Sequence, residues 1–198
     1  MVNRKLVYGV GINDADYVVH KAKKISGNYI NVWMCKTYSL WTNMLMRCNS
    51  DSYQSRNPTY FGCFVSDEWH SFMAFKLWVD SRPARDDHHL DKDIIYPGNK
   101  CYSKESCSII SRDLNLFIAG SEKDRDAQSR GSYFNVSSGK FQSSCRNPFT
   151  KKSEFLGSFL TEVDAHSAWK ARKHSHACAF ADIQSDPRVA AALRIRFA

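Results

Sequence analysis

Two segments in the first half of the chain carry apolar residues at helical spacing. "TYSLWTNMLMRC" and "SDEWHSFMAFKLWVDSRP" are each typical of an amphipathic helix. In the second segment Ser66 or Asp67 can cap the helix, and Pro83 lies beyond its end. The apolar stripe of the first helix is Tyr38, Trp41, Leu45 and Cys48. The stripe of the second is Trp69, Phe72, Met73, Leu77 and Trp78. Residues 1–34 predict no particular element.

The middle of the chain changes to strand and turn patterns. "LDKDIIY" predicts a short strand, and "PGNK" predicts a turn. "SIISRDLNLFI" predicts a strand that passes directly into a helix. The order expected over residues 90–118 is therefore strand, turn, strand and helix. Asn99 fits the turn because asparagine and glycine suit tight turns.

Three short strands are predicted near the C-terminus, followed by two helices. The strands are "SYFNVSS", "KFQSSCRNPF" and "SEFLGSFL", separated by Gly139 and by Asn147-Pro148. Thr161 is expected to cap a long helix, and Ser185 or Asp186 to cap a last one. The long helix is basic, so its histidines are expected at the surface: His166, His174 and His176.

These patterns predict an α+β protein of two domains. The larger domain is expected over residues 1–118 and the smaller over 132–198. The segment "AGSEKDRDAQSRG" between them, residues 119–131, is charged and has no apolar periodicity. It therefore reads as a linker.

Composition narrows the functional classes. The formal net charge is +8 and the pI is near 9.1, which favours an acidic partner such as nucleic acid. No apolar run approaches the ~20 residues of a membrane span, and the N-terminus does not resemble a secretory signal. Seven scattered cysteines favour reduced thiols and a cytoplasmic protein.

The second predicted strand of the small domain has one polar face. Alternation places Lys140, Gln142, Ser144 and Arg146 on the same side. Arg and Lys contact phosphates or guanine, and Gln can read adenine. From Gly139 to Ala177 there are seven Lys/Arg and three Asp/Glu, a net charge of +4. Alternatively, these four residues form an ordinary polar face of the sheet that contacts only solvent. The nearby Lys151 and Lys152 extend the basic surface.

The small domain resembles the APETALA-type DNA-binding domain. The resemblance rests on "YFNV", "GKFQSSCR", "FLGSF" and "TEVDAHSAWKAR", in this order. It implies that a three-stranded sheet lies in the major groove and that a helix packs behind the sheet. The residues that would then face DNA are Lys140, Gln142, Ser144 and Arg146.

The larger domain resembles phage-encoded homing endonucleases of the HNH type. The resemblance rests on five motifs in this order: "GVGINDADY", "LWTNMLMRC", "NPTYFGCFVSDEW", "LDKDIIYPGNKCYSKESC" and "RDLN". The family implies a hairpin and a helix around one divalent metal. Asp91 and Asn115 correspond to the metal ligands, and their oxygen atoms suit Mg²⁺ or Mn²⁺. Zinc is not favoured, because Cys63 lacks the partner of a Cys-x-x-Cys pair.

The sequence does not identify which group acts as the general base. Lys92 stands where the family pattern has a histidine, and a lysine is ordinarily protonated. Lys92 could act as a base or as a charge clamp, His89 or His88 could act from upstream, or a metal-bound water could suffice. His89 is favoured over His88 because it shares strand parity with Asp91.

The combined expectation is a site-specific, metal-dependent DNA endonuclease of the phage homing type. It would act on double-stranded DNA as a monomer, in the cytoplasm of an infected bacterial host. The alternative is a DNA-binding protein that has lost its nuclease chemistry.

Overall fold

The computed structural model describes residues 5–83, 88–119 and 130–198. Contacts divide the chain into two compact units, Met1–Ile109 and Ile110–Ala198. The described residues form a mixed α+β fold with small sheets, as predicted. None of the helices in these ranges is long and apolar enough to cross a bilayer.

The first unit combines short strands with three helices. Its described elements are β1 (His20–Ile25), β2 (Asn28–Met34), α1 (Lys36–Asn49), α2 (Asp51–Gln54), β3 (Phe64–Val65), α3 (Phe72–Asp80), β4 (His88–Asp91), β5 (Cys101–Tyr102) and β6 (Ser108–Ser111). β1 pairs with β2 in an antiparallel ribbon, and β3 runs parallel to β5. β4 pairs with β6, and the boundary between the units falls inside β6.

Aromatic packing forms the core of the first unit. Trp41, Trp69 and Phe72 are fully buried, and the Trp41 indole N–H donates to the Trp69 carbonyl at 2.8 Å. That hydrogen bond satisfies a polar group that burial would otherwise leave without a partner. Helix α1 is thereby tied to the turn that precedes α3.

Helix α3 differs from the second predicted helix in where it begins and in which side chains it buries. Residues Asp67–His70 form a 3₁₀ turn, so the helix begins later and Ser71 caps it by accepting from the Ala74 N–H at 3.0 Å. Neither Ser66 nor Asp67 is the cap. Leu77 is 68% exposed, because a start at Phe72 turns it away from the core. The helical residues that are buried instead are Phe72, Phe75, Trp78 and Val79.

The predicted strand "LDKDIIY" ends after its second residue. β4 stops at Asp91, whose Oδ1 accepts the backbone N–H groups of Asp93 at 2.9 Å and Ile94 at 2.6 Å. This side chain satisfies N–H groups that a continuing strand would have offered to a neighbour. The chain therefore bends at residue 92 instead of extending to Tyr96.

The second unit contains the predicted three strands and two helices. Its elements are α4 (Arg112–Ala119), β7 (Ser132–Asn135), β8 (Lys140–Arg146), β9 (Ser153–Phe159), α5 (Glu162–Asp182) and α6 (Pro187–Ile195). The sheet is antiparallel with β8 in the centre. Thr161 and Asp186 cap α5 and α6, as predicted.

One residue of β9 has no partner across the sheet. Ser143 pairs with Gly157, whereas Ser144 pairs with Phe155, so Leu156 is an extra residue. Such a bulge reverses which side of the sheet the following residues face.

The observed boundary between units differs from the predicted domain boundary at residue 118. α4 belongs to the second unit, where the Phe117 ring lies 5.2 Å from Phe180 and 5.8 Å from Phe197. The Lys173 ammonium also donates to the Phe117 carbonyl at 2.9 Å. Most of the predicted linker, residues 120–129, lies outside the described residues.

Replacement of Gly11 with alanine tests the packing of the first unit. The added Cβ would lie 2.8 Å from Cη2 of Trp41 and closer still to the Leu45 side chain. We expect the free energy of unfolding to fall by about 1–3 kcal/mol because the core has no room for a methyl group. Urea denaturation measures this change. Ala22→Val, at an exposed strand position, should leave stability nearly unchanged; equal losses would contradict the tight packing.

Candidate functional site

The carboxylate of Asp91 is held in one orientation by the backbone that follows it. Asp91 is half-buried at the end of β4, and the two N–H groups donated to Oδ1 fix its side chain. A carboxylate that is already oriented loses less freedom when it binds a ligand. Oriented oxygen atoms of this kind suit a hard divalent cation.

Lys92 is buried and surrounded by acceptors. Its Nζ lies 2.7 Å from each carboxylate oxygen of Asp93 and 2.6 Å from the carbonyl oxygen of Asn99. An ammonium carries three N–H donors, and all three of these oxygen atoms can accept from it. The geometry therefore fits a structural ammonium whose hydrogen bonds are made within the segment.

Asn99 joins the two ends of the "PGNK" turn. Its Nδ2 donates to the carbonyls of Lys92 at 3.1 Å and Cys101 at 2.6 Å, and its Oδ1 accepts from the Cys101 N–H at 3.0 Å. The sequence explained Asn99 by turn preference alone. The structure adds that its side chain crosslinks the segments on either side of the turn, next to Asp91.

The remaining predicted nuclease residues are distributed over both units. His89 is half-buried on β4, and strand alternation puts it on the same face as Asp91. The His88 side chain lies outside the described residues. Asn115 is half-buried on α4, in the second unit, whereas Asp91 is in the first. The sharing of one cation by Asp91 and Asn115 therefore stays a prediction.

Cysteines and other metal-binding side chains are dispersed. Over the described ranges, no three or more His, Cys, Asp or Glu side chains are grouped so that they could hold a metal ion. Burial raises the pKa of both Cys48 and Cys107 to about 12. These thiols remain protonated at neutral pH and pack as small apolar groups.

The central strand of the second unit has a buried side and a polar side, as predicted. Ser143 and Cys145 are buried, and the four residues that alternate with them are exposed or half-buried. We call these four, with the two aromatic residues described next, the outer face of the sheet. The four are Lys140, Gln142, Ser144 and Arg146.

Two aromatic residues of the outer face were not predicted from the sequence. Tyr133 on β7 is opposite Gln142 and is 50% exposed; Phe155 on β9 is opposite Ser144 and is 64% exposed. The Tyr133 hydroxyl donates to Gln142 Oε1 at 2.6 Å, which leaves both N–H groups of the amide for a ligand. Extending the alternation of β8 to its neighbours would have identified Tyr133, whereas the bulge in β9 hides Phe155.

The two predicted lysines of the β8–β9 loop differ in their contacts. Asn147 Oδ1 accepts the N–H groups of Phe149 at 2.8 Å and Thr150 at 3.0 Å, which shapes the loop. The ammonium of Lys151 is 2.6 Å from an oxygen of Asp113. Lys152 is exposed. A phosphate would compete with Asp113 for Lys151, so Lys152 is the better placed of the two to contact DNA.

A cavity of about 480 Å³ in the second unit contains a buried lysine. Lys173 is 8% exposed, its Nζ lies 3.7 Å from the centre of the Phe117 ring, and burial lowers its pKa from 10.5 to about 8. His176, on the same helix, is also buried and lies 3.1 Å from Glu154 Oε2, so the expectation of a surface position was wrong for it. No sequence signal distinguishes these buried cations from their exposed neighbours.

Comparison with known proteins identifies no relative. No family model matches the chain, and no curated protein or solved structure shows significant similarity to it.

Replacement of Asn99 with alanine tests the crosslink next to Asp91. We expect the free energy of unfolding to fall by about 1–3 kcal/mol, because buried backbone groups of residues 92 and 101 lose their partners. Chemical denaturation monitored by tryptophan fluorescence provides the measurement. Asn43→Ala, at an exposed helical position, is the matched control. Equal stability of the Asn99 variant and wild type would show that the turn needs no crosslink.

Replacement of Lys173 with methionine tests the buried charge. The folded state releases the lysine proton near pH 8 and the unfolded state near 10.5, so burial lowers stability below pH 8 and this loss disappears as the pH rises to 10.5. We expect the variant to be about 1–3 kcal/mol more stable at pH 7, with a difference that shrinks above pH 8. Denaturation at several pH values measures it, with exposed Lys170→Met as control. A difference independent of pH would refute the assignment.

Proposed function

We propose that the chain is a site-specific, divalent-metal-dependent DNA endonuclease of the homing type. The observation that carries the proposal is the outer face of the sheet, which combines hydrogen-bonding, cationic and aromatic side chains without a carboxylate. The cutting function is inferred from the ordered motifs of residues 9–115, which resemble those of HNH homing endonucleases. We expect the protein to act as a monomer on double-stranded DNA, in the cytoplasm of an infected bacterial host.

Recognition is assigned to the outer face of the sheet. Arg146 offers a fork of N–H donors for guanine or phosphate, and Gln142 offers an amide for adenine. Because Tyr133 occupies only one lone pair of that amide, Gln142 is oriented and can still donate and accept. Lys140 and Lys152 add phosphate contacts at the ends of the strands, which hold the protein on DNA without reading sequence.

Cleavage is assigned to residues 88–119. In this segment β4 pairs with β6, the short strand β5 lies between them in the chain, and α4 follows; a strand pair followed by a helix is compatible with the hairpin and helix that the resemblance implies. Asp91, oriented by two N–H groups, and Asn115 are the proposed ligands, and their oxygen donors fit Mg²⁺ or Mn²⁺ better than zinc. A bound divalent ion would supply the positive charge that stabilises the scissile phosphate during hydrolysis.

His89 is the residue that we favour as general base. An imidazole changes protonation near neutral pH, and His89 shares the face of β4 with Asp91. The ammonium of Lys92 is engaged by Asp93 and by the Asn99 carbonyl, so we assign Lys92 to holding the segment in place.

A DNA-binding protein without nuclease activity is the second candidate. The engagement of Lys92 favours it, because this lysine stands where the family pattern has its catalytic histidine. Under this alternative the outer face keeps its role, and Asp91 only ends the strand β4.

Replacement of Asp91 with alanine distinguishes the two candidates. Duplexes bound by the wild type are first selected from a randomised pool, and binding and nicking are then measured with Mg²⁺ or Mn²⁺. We expect at least about 100-fold slower nicking by the variant and a similar dissociation constant. Asp51→Ala, at the start of α2, should retain wild-type rates.

Three other outcomes of this experiment would each change the assignment. Equal nicking by the wild type and the Asp91 variant would remove Asp91 from the site. Selective binding by a wild type that nicks nothing would establish the second candidate. If the wild type enriches no duplex from the pool, both candidates fail.

A further inference from the structure

The ribbon formed by β1 and β2 is exposed along nearly its whole length. All six residues of β1 are exposed, as are six of the seven in β2. The strands meet at Ser26 and Gly27, which have φ values of 50° and 87°. Positive φ at both positions is the signature of a type I′ turn, which matches the twist of a two-stranded ribbon.

The base of the ribbon is fixed to the core of the first unit. The Cys35 N–H donates to the Val19 carbonyl at 2.8 Å, which closes the ribbon where it leaves the core. The His20 ring stacks on the buried Tyr38, with ring centres 6.2 Å apart and planes inclined by 7°. The ribbon therefore projects from a defined base into solvent.

The exposed ribbon carries large apolar side chains that would normally be covered. A two-stranded ribbon alone is marginally stable in water, and exposed apolar clusters mark interaction sites. The exposed fractions are 77% for Tyr29, 48% for Ile30, 49% for Val32 and 48% for Trp33. This pattern indicates a surface that a partner covers.

The charge of the ribbon selects the class of partner. Residues 20–34 include three lysines and no Asp or Glu, so the partner is expected to be anionic. Lys21 lies opposite Trp33, and Lys24, on the other side of the ribbon, lies opposite Tyr29. A flat anionic surface would meet only one side, whereas a groove between two phosphate backbones meets both.

We propose that residues 20–34 are a second DNA-binding element, which enters the major groove of the duplex. The major groove is wide enough for a two-stranded ribbon. The lysines contact the phosphates on both walls, and Trp33 and Ile30 pack against the base edges and sugars. The inference rests on the proposed function, since it adds a contact in the first unit to the one on the outer face of the sheet.

Charge removal on the ribbon tests the proposal. The triple variant Lys21→Gln, Lys23→Gln and Lys24→Gln retains side-chain length and is exposed throughout, so it should fold normally, which circular dichroism verifies. Its affinity for a duplex selected by the wild type is measured between 50 and 300 mM KCl, roughly the range in which counterion release dominates. We expect the slope of log K against log salt to become shallower by about 2–3, or ~0.9 for each lost phosphate contact.

A matched variant separates a local contact from net charge. Lys5→Gln, Lys36→Gln and Lys104→Gln remove the same charge from exposed positions of the first unit outside the ribbon, and should leave the slope within about 1 of the wild-type value. The variant Trp33→Ala should weaken binding several-fold with an unchanged slope, because it removes only an apolar contact.

The remaining results would overturn the inference. An unchanged slope for the ribbon variant, in a protein that binds DNA, would reject the ribbon as a DNA contact and leave the proposed function intact. Equal losses in the two triple variants would show that only net charge matters. Failure of the wild type to bind any selected duplex would reject the proposed function and the ribbon contact together.

Discussion

A buried ammonium at Lys92 is the constraint on which the geometry around Asp91 depends. Desolvation of a charge is unfavourable unless polar partners replace water, and Asp93 and Asn99 provide these partners. Satisfying the charge brings the turn at Asn99 back against residue 92. The strand β4 then ends at Asp91, and the Asp91 carboxylate accepts from the backbone N–H groups of Asp93 and Ile94.

The sheet of the second unit has one side packed in the interior and the other side exposed to solvent. Its inner side contains Ser143 and Cys145, which are buried, and its outer side contains exposed polar and aromatic groups. Packing on one side gives the strands a fixed register, and the register places Tyr133 beside Gln142. The hydroxyl–amide hydrogen bond is therefore a consequence of packing on the opposite side of the sheet.

The sequence predicted elements well where the apolar pattern was strong and caps were clear. α1, β8 and α5 lie close to their predicted positions, and Thr161 and Asp186 cap as expected. The pattern failed at α3, because a 3₁₀ turn before Phe72 changes the phase of the helix and exposes Leu77. It also failed for β1 and β2, because a ribbon exposed on both sides has no buried face to impose alternation.

The candidate site could be predicted only in part. The residue types at 91, 92 and 99 were identified, but the roles of Lys92 and Asn99 depend on contacts across the turn that spacing does not reveal. The buried positions of Lys173 and His176 were missed, since the sequence around them is that of a basic surface helix. Asp91 and Asn115 fall in separate units, so their joint role still rests on the resemblance.

The unpaired Leu156 makes the sheet tolerant of a one-residue change in the length of β9. Deleting this residue would leave Phe155 opposite Ser144 and Gly157 opposite Ser143, so both would keep their present sides of the sheet. Only the local bend that accompanies the bulge would be lost. A lineage of such proteins could thus lose or gain one codon in β9 and change the curvature of the strand without exchanging its exposed surface.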